Sequence, residues 1–226
     1  MKEDRKQHDQ LFTLFTEKYG KIRVLGKSIR KITSKLRSGA ELFYLSEIEF
    51  IEGKTNKILT DTVLIDNFKS LRENYENLLI AYKIAEKFVL AEEVKDEQIW
   101  FLLLQTLERL NEGKTDFLYL HFLWNFFAFI GYTPELYNCS LCDKKLLPET
   151  LFFVPKEGGV CCWRCKTEDK KEITVGAIQI LRILLKKDYE INNRIRATQL
   201  DVKNLEEISS FYFSFLKNIV NPHSLS

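Results

Sequence analysis

The sequence predicts an α+β protein with a small β-domain at residues 1–65 and a helical domain at residues 66–226. Short runs of β-branched and aromatic residues, separated by turn signals, occupy residues 11–65. Beyond Asp66 the apolar residues recur at intervals of three and four, which is helical spacing. All five cysteines fall between Cys139 and Cys165, so a separate cysteine module is expected within the helical domain.

The β-domain is expected to contain four strands after a polar opening segment. Lys21 and Arg23 alternate with Ile22 and Val24, and a two-residue period places the two pairs on opposite faces of a strand. This strand should therefore be half-buried, with a basic outer face. The strands are expected near residues 11–16, 20–26, 42–51 and 57–65.

The helical domain is expected to contain five helices. The first begins with Asp66 as its N-cap and runs to about residue 91. The second begins at Asp96, and the third begins near Asp116 and ends at Gly131. The fourth and fifth cover residues 174–187 and 201–220. The segment 117–132 is apolar nearly all round but too short for a membrane span. It is expected to be a core helix; the alternative is a groove for a partner's apolar tail.

Charge is unevenly distributed along a chain whose net charge is only +2 over 226 residues. Residues 11–40 carry a net charge of +7, whereas residues 41–138 carry −8. Seven cations lie within seventeen residues: Lys21, Arg23, Lys27, Arg30, Lys31, Lys35 and Arg37. Such a run is often only a solvated surface, but its density favours a phosphate backbone as the partner. Phosphate contacts predict salt-sensitive binding with little sequence preference.

The cysteine module contains two Cys-x2-Cys pairs separated by nineteen residues. Cys139 with Cys142 and Cys162 with Cys165 have the spacing of a four-cysteine zinc site. One zinc ion with four thiolates has no open position for water, so a structural role is expected. The alternatives are two disulfides, idle thiols, or Cys161 in place of Cys162.

Signatures of catalysis and of export are weak. The three Gly-Lys-Ser/Thr triplets lack the earlier glycine of a phosphate-binding loop, and no Ser/His/Asp arrangement is suggested. His121 lies in the apolar helix, where a core role is expected. The polar N-terminus lacks the apolar segment of a signal peptide, which predicts a cytoplasmic protein. The weak catalytic signatures predict a protein that is not an enzyme.

Three segments resemble the RecO family of bacterial DNA repair proteins. They are LFTLFTEKYGKIRVLGKSIRKITSKLRSG near the start, FIGYTPELYNCSLC at the first cysteine pair, and GGVCCWRC at the second. The resemblance implies an N-terminal OB-fold barrel and a helical domain with an inserted zinc module. It also implies a recombination mediator that binds single- and double-stranded DNA, anneals complementary strands and joins RecR. With RecR, such a mediator helps to load RecA on strands coated by single-stranded DNA-binding protein.

The resemblance assigns the seven cations to the family's basic OB segment and the four paired cysteines to its zinc ligands. It also implies a cytoplasmic, nucleoid-associated protein. Family members usually begin with an additional apolar strand, whereas this chain opens with polar residues. Either the true start lies upstream and the first strand is missing, or another element closes the barrel.

Two other functions remain open from the sequence. A zinc-containing adaptor for protein partners, with no direct DNA role, would use the helix at 117–132 and the cysteine module. A zinc-dependent nuclease is the weakest alternative, because it needs an open metal site.

Overall fold

A computed structural model describes residues 1–90, 95–114, 117–165, 167–186, 188–192 and 195–220. The chain divides into two compact units, Met1–Lys114 and Thr115–Ser226. Within the described residues, the first unit contains a five-stranded sheet and three α-helices, and the second contains four α-helices and a three-stranded sheet. The mixed α+β class is thus confirmed, while the domain boundary after residue 65 stays a prediction.

The sheet of the first unit has the order β1-β2-β3-β5-β4. Neighbours are antiparallel except β3 and β5, which are parallel and pair at Val24 with Lys57 and at Leu25 with Ile58. The strands are β1 (Lys2–Arg5), β2 (Asp9–Thr16), β3 (Gly20–Gly26), β4 (Leu45–Glu52) and β5 (Lys57–Asp66). The four strands predicted from the sequence are all present.

The polar opening segment also forms a strand, which the sequence analysis did not anticipate. Residues Lys2–Arg5 pair antiparallel with β2, Lys2 opposite Phe12 and Arg5 opposite Asp9. A strand therefore precedes β2 in this sheet, and it is polar rather than apolar. Four charged residues can form β1 because it is an edge strand, where charged side chains remain in water.

The helices of the first unit follow the sheet directly. They are α1 (Lys69–Glu73), α2 (Tyr75–Lys87) and α3 (Glu97–Asn111). The predicted first helix is divided at Asn74, whose extended backbone ends α1 and whose side chain accepts the N–H of Asn77 to cap α2. Asp66 instead accepts the N–H of Phe68, while Asp96 caps α3 as predicted. The predicted end near residue 91 lies outside the described residues.

The second unit packs helices around a small sheet of order β7-β6-β8. Its helices are α4 (Leu118–Phe129), α5 (Val175–Leu184), α6 (Tyr189–Asn192) and α7 (Gln199–Val220). Its strands are β6 (Leu151–Val154), β7 (Gly159–Cys162) and β8 (Lys171–Ile173). Gly131 follows α4 with a positive φ of 92°, as the predicted helix end requires. The predicted start of this helix, at Asp116, lies outside the described residues.

Helix α4 is the core of the second unit. Trp124 is fully buried, and its ring lies 5.6 Å from Tyr212 and 5.9 Å from Phe153. His121 is also buried, with its ring 3.9 Å from that of Tyr189. This burial supports the core interpretation of the helix over the alternative of a partner groove. Among the described helices, none is both long and apolar enough to cross a membrane.

Replacing Ser209 tests the polar contact inside this core. The Trp124 indole donates a 2.9 Å hydrogen bond to the Ser209 hydroxyl, which donates to the Leu205 carbonyl. Ser209→Ala should cost about 1–3 kcal/mol, because it leaves a buried N–H without its acceptor. Denaturant unfolding would measure this loss. Ser210→Ala, at the exposed neighbouring position, is the matched control; equal losses in both variants would contradict the assignment.

Candidate nucleic-acid interface and metal centre

Strand β3 presents its cations and its apolar side chains on opposite faces. Ile22 and Val24 are buried in a core cluster with Phe12 and Leu59, whereas Arg23 is exposed. Lys21 is only half-buried, because it lies opposite Phe15 in β2, and the Phe15 ring packs 4.5 Å from Phe88. The predicted basic outer face is present, but helical residues approach it at the Lys21 end.

The turn after β3 is anchored by one apolar side chain. Ile29 is buried in the same core cluster, between the exposed Lys27 and Arg30. The Ser28 N–H donates to the Asp9 carboxylate at 2.7 Å, which ties the turn to β2. Gly26 permits this packing, since a Cβ there would lie 2.9 Å from the Phe12 ring. The cations of this turn therefore project from a fixed backbone.

A short 3-10 helix, Lys35–Gly39, carries the last two cations of the basic segment. The Thr62 hydroxyl of β5 donates to the Leu36 carbonyl at 3.0 Å, and the Ser46 hydroxyl of β4 donates to the Gly39 carbonyl at 2.7 Å. Lys35 and Arg37 are exposed on this helix. No strand or helix was predicted between residues 26 and 42, whereas the sheet holds this stretch in a defined conformation.

Acidic residues of β1 neutralise part of the basic segment. Glu3 lies 3.5 Å from the Arg23 guanidinium, and Asp4 lies 3.0 Å from that of Arg30. Among the described residues, no ion pair involves the four exposed cations Lys27, Lys31, Lys35 and Arg37. These four are the strongest candidates for anion contacts. Sequence reasoning missed the acids because β1 itself was not predicted.

Ile32 is a further feature of this surface that sequence reasoning missed. Its side chain is 92% exposed and follows Arg30 and Lys31 directly. An apolar side chain among phosphate-binding cations can contact bases or sugars where the backbone is held close. The turn contains two isoleucines, Ile29 and Ile32, and the sequence does not show which of them is exposed. In the structure Ile29 enters the core and Ile32 stays in water.

The four paired cysteines meet in the second unit. Their sulfur atoms all lie within 4.8 Å of one another. Cys139 and Cys165 are separated by 3.7 Å, Cys162 and Cys165 by 3.7 Å, and Cys142 and Cys162 by 3.9 Å. A tetrahedron with zinc–sulfur bonds of 2.3 Å has sulfur–sulfur edges of about 3.8 Å. The cluster could therefore hold a metal ion, and zinc fits its donor atoms and its size.

The backbone around the two cysteine pairs sets this geometry. Glu135 accepts the N–H groups of Tyr137 and Asn138, which orders the approach to the first pair. The N–H groups of Asn138 and Tyr137 also lower the pKa of Glu135. Gly159 begins the strand leading to the second pair, where a Cβ would lie 2.4 Å from the Glu135 carbonyl oxygen. Only glycine allows the two segments to approach this closely.

The fifth cysteine lies outside the cluster. Cys161 and Cys162 are successive residues of β7, so their side chains point to opposite faces. Cys161 is fully buried, and this burial raises its pKa to about 12. The structure thus brings together the cysteine set with Cys162 rather than the alternative with Cys161. All five cysteines are free thiols, at sulfur separations too long for the disulfide alternative.

The thiols of the cluster differ in acidity. Burial raises the pKa of Cys139, but the backbone N–H groups of Cys162, Leu141 and Cys142 outweigh it and lower the pKa to about 6. The pKa of Cys165 is raised by burial and by the neighbouring thiols. Several thiolates this close repel one another unless a cation lies between them. The electrostatics thus suit a bound metal ion.

Comparison with known proteins identifies relatives over nearly the whole chain. The family models "Recombination protein O N terminal" and "Recombination protein O C terminal" match residues 3–68 and 72–221. The DNA repair protein RecO of Dehalococcoides mccartyi is 32% identical over 202 residues, covering 88% of this chain and 80% of the relative. That of a Roseiflexus species is 30% identical over 230 residues, covering 99% and 80%. That of Desulfitobacterium hafniense is 27% identical over 213 residues, covering 91% and 78%.

Substituting one cysteine of the cluster should remove the metal. Cys142→Ser should lower bound zinc from one ion per chain to near zero and lower the Tm by roughly 5–10 °C, because metal binding stabilises only the folded module. Elemental analysis and thermal unfolding would measure both effects. Cys161→Ala is the matched control and should keep the ion. Full zinc content in Cys142→Ser, or its loss in Cys161→Ala, would contradict the assignment.

Proposed function

The chain belongs to the RecO family of DNA repair and recombination proteins, and from this premise we propose that it is a DNA-binding recombination mediator. In this proposal it binds single- and double-stranded DNA through phosphate contacts and anneals complementary strands. Together with RecR, it helps to load RecA onto strands coated by single-stranded DNA-binding protein. Such a mediator acts by binding and needs no catalytic group of its own.

The observation that carries the proposal is the fixed basic surface of the first unit. Its strongest contacts are the four exposed cations without an ion pair among the described residues: Lys27, Lys31, Lys35 and Arg37. Arg23 and Arg30 join them when phosphate replaces Glu3 and Asp4, and Lys21 lies at the half-buried end. Cations on a sheet and its connecting turns suit a backbone that is tracked without base readout.

An OB-fold barrel is the architecture that we propose for this sheet. The order β1-β2-β3-β5-β4, with one parallel pair, supports a five-stranded Greek-key barrel of that type. The Lys2 ammonium group lies 2.5 Å from Glu41, which precedes β4. This ion pair links β1 to the segment before β4, and β1 and β4 are the two strands between which a barrel of this type would close.

We propose a structural zinc ion for the cysteine cluster, held by Cys139, Cys142, Cys162 and Cys165. Four thiolates fill a tetrahedral coordination sphere, so the ion would fix the two cysteine pairs without activating water.

The nuclease alternative needs the open position that this donor set does not offer. The adaptor alternative was motivated by the apolar helix at 117–132, and most residues of α4 are buried. Action on chromosomal DNA implies a cytoplasmic, nucleoid-associated location.

Removing two exposed cations tests the proposal. Lys27→Gln combined with Lys31→Gln should weaken binding to unrelated DNA sequences equally. Each lost phosphate contact should reduce the slope of log K against log salt by about 0.9 on duplex DNA, or by roughly 1.8 for the pair. Fluorescence anisotropy at several salt concentrations would measure both quantities. An unchanged slope, or a loss confined to particular sequences, would contradict phosphate contacts.

Two controls separate this surface from charge in general. Lys69→Gln removes an exposed cation of α1 outside the basic segment and should leave the slope unchanged. Glu3→Gln combined with Asp4→Asn should act in the opposite direction and tighten binding, because Arg23 and Arg30 then lose their competing carboxylates. Equal effects of the Lys69 variant and the Lys27/Lys31 variant would contradict a localised interface.

A further inference from the structure

The second cysteine pair displays an exposed aromatic ring. Trp163 lies between Cys162 and Cys165, and 53% of its surface is exposed. The other two tryptophans are less exposed, since Trp124 is fully buried and Trp100 is half-buried. An indole ring this open to water offers a large aromatic surface to a ligand. The proposed metal site uses the cysteines around Trp163 but not the ring.

Trp163 is positioned by backbone contacts of the two flanking cysteines and by one hydrogen bond of its ring. Cys162 pairs with Leu151 in the small sheet, and the Cys165 N–H donates to the Cys162 carbonyl at 3.1 Å. The indole N–H donates to the Glu149 carboxylate at 2.9 Å. The edge of the ring therefore has its hydrogen-bond partner, and what remains available to a ligand is its π face.

One cation lies over this ring. The Arg164 guanidinium is 5.3 Å from the Trp163 ring centroid. Lys144 and Lys145 are exposed just after the first cysteine pair, whose Cys142 sulfur lies 3.9 Å from that of Cys162. A ring with an exposed arginine over it matches an unpaired base and its phosphate, because the base can stack on the ring while the guanidinium turns to the phosphate. An apolar protein side chain would match the ring but would leave the guanidinium without a partner.

We propose that Trp163 stacks on an unpaired base of single-stranded nucleic acid while Arg164 contacts a neighbouring phosphate. This site lies in the second unit and is additional to the basic surface of the first. It rests on the proposed function, because it assumes that the chain binds DNA. Stacking is available only to unpaired bases, so the site distinguishes single strands from duplexes, which the phosphate contacts do not.

Single substitutions in the full chain test the stacking site. Trp163→Ala should weaken binding to a fluorescein-labelled single strand by about tenfold, because base–aromatic stacking is worth roughly 1–3 kcal/mol per base. Binding to the duplex of the same sequence should change little. Trp163→Phe keeps an aromatic face and should retain most of the single-strand affinity. Tyr75→Ala, which removes an exposed aromatic side chain of α2, is the matched control and should alter neither affinity.

Intrinsic fluorescence gives a second measurement that does not depend on the alanine variant folding. Oligo(dT) should quench the tryptophan emission of the unaltered protein, and Trp163→Phe should lose most of that quenching. Unchanged quenching, unchanged single-strand affinity in Trp163→Ala, or equal losses on single strand and duplex would overturn the inference. If the unaltered protein still binds DNA with a steep salt dependence, such a result refutes the stacking site and leaves the proposed function standing. If it binds neither DNA, the proposed function fails as well.

Discussion

The burial of one face of β3 is the constraint on which the proposed interface depends. Ile22 and Val24 occupy the core of the sheet, and fully burying each contributes about 1.5–3 kcal/mol. Because strand side chains alternate, this burial directs Arg23 into water and fixes where the basic segment leaves the sheet. Ile29, in the turn after β3, is buried in the same core cluster. The cations that follow it therefore also project from a backbone that is held in place.

The second unit has two independent supports, one apolar and one built from cysteines. Trp124 joins α4 to α7 by packing on Tyr212 and by donating to Ser209. The cysteine cluster joins the segment before β6 to the end of β7, in a region whose strands are only three or four residues long. Strands this short form few hydrogen bonds with their neighbours. A metal ion that links the two cysteine pairs would therefore stabilise the part of the unit that packing stabilises least.

Several features were predictable because they are local. Period-two alternation predicted the buried face of β3, and the spacing of the cysteine pairs predicted which sulfurs meet. The sequence did not predict β1, because four consecutive polar residues carry no strand signal and pair only with the help of β2. The break at Asn74 was missed because the apolar spacing continues across it. The ion pairs of Glu3 and Asp4 depend on pairing between distant segments, which no local pattern encodes.

Lysine footprinting tests the central claim, that DNA lies on the turn after β3 and the 3-10 helix that follows. The protein would be acetylated with and without a bound oligonucleotide, and the modification of each lysine would be quantified by mass spectrometry. The account predicts protection of Lys27, Lys31 and Lys35, with Lys69 and Lys203 modified equally in both samples. Binding that leaves Lys27, Lys31 and Lys35 fully reactive would contradict the account.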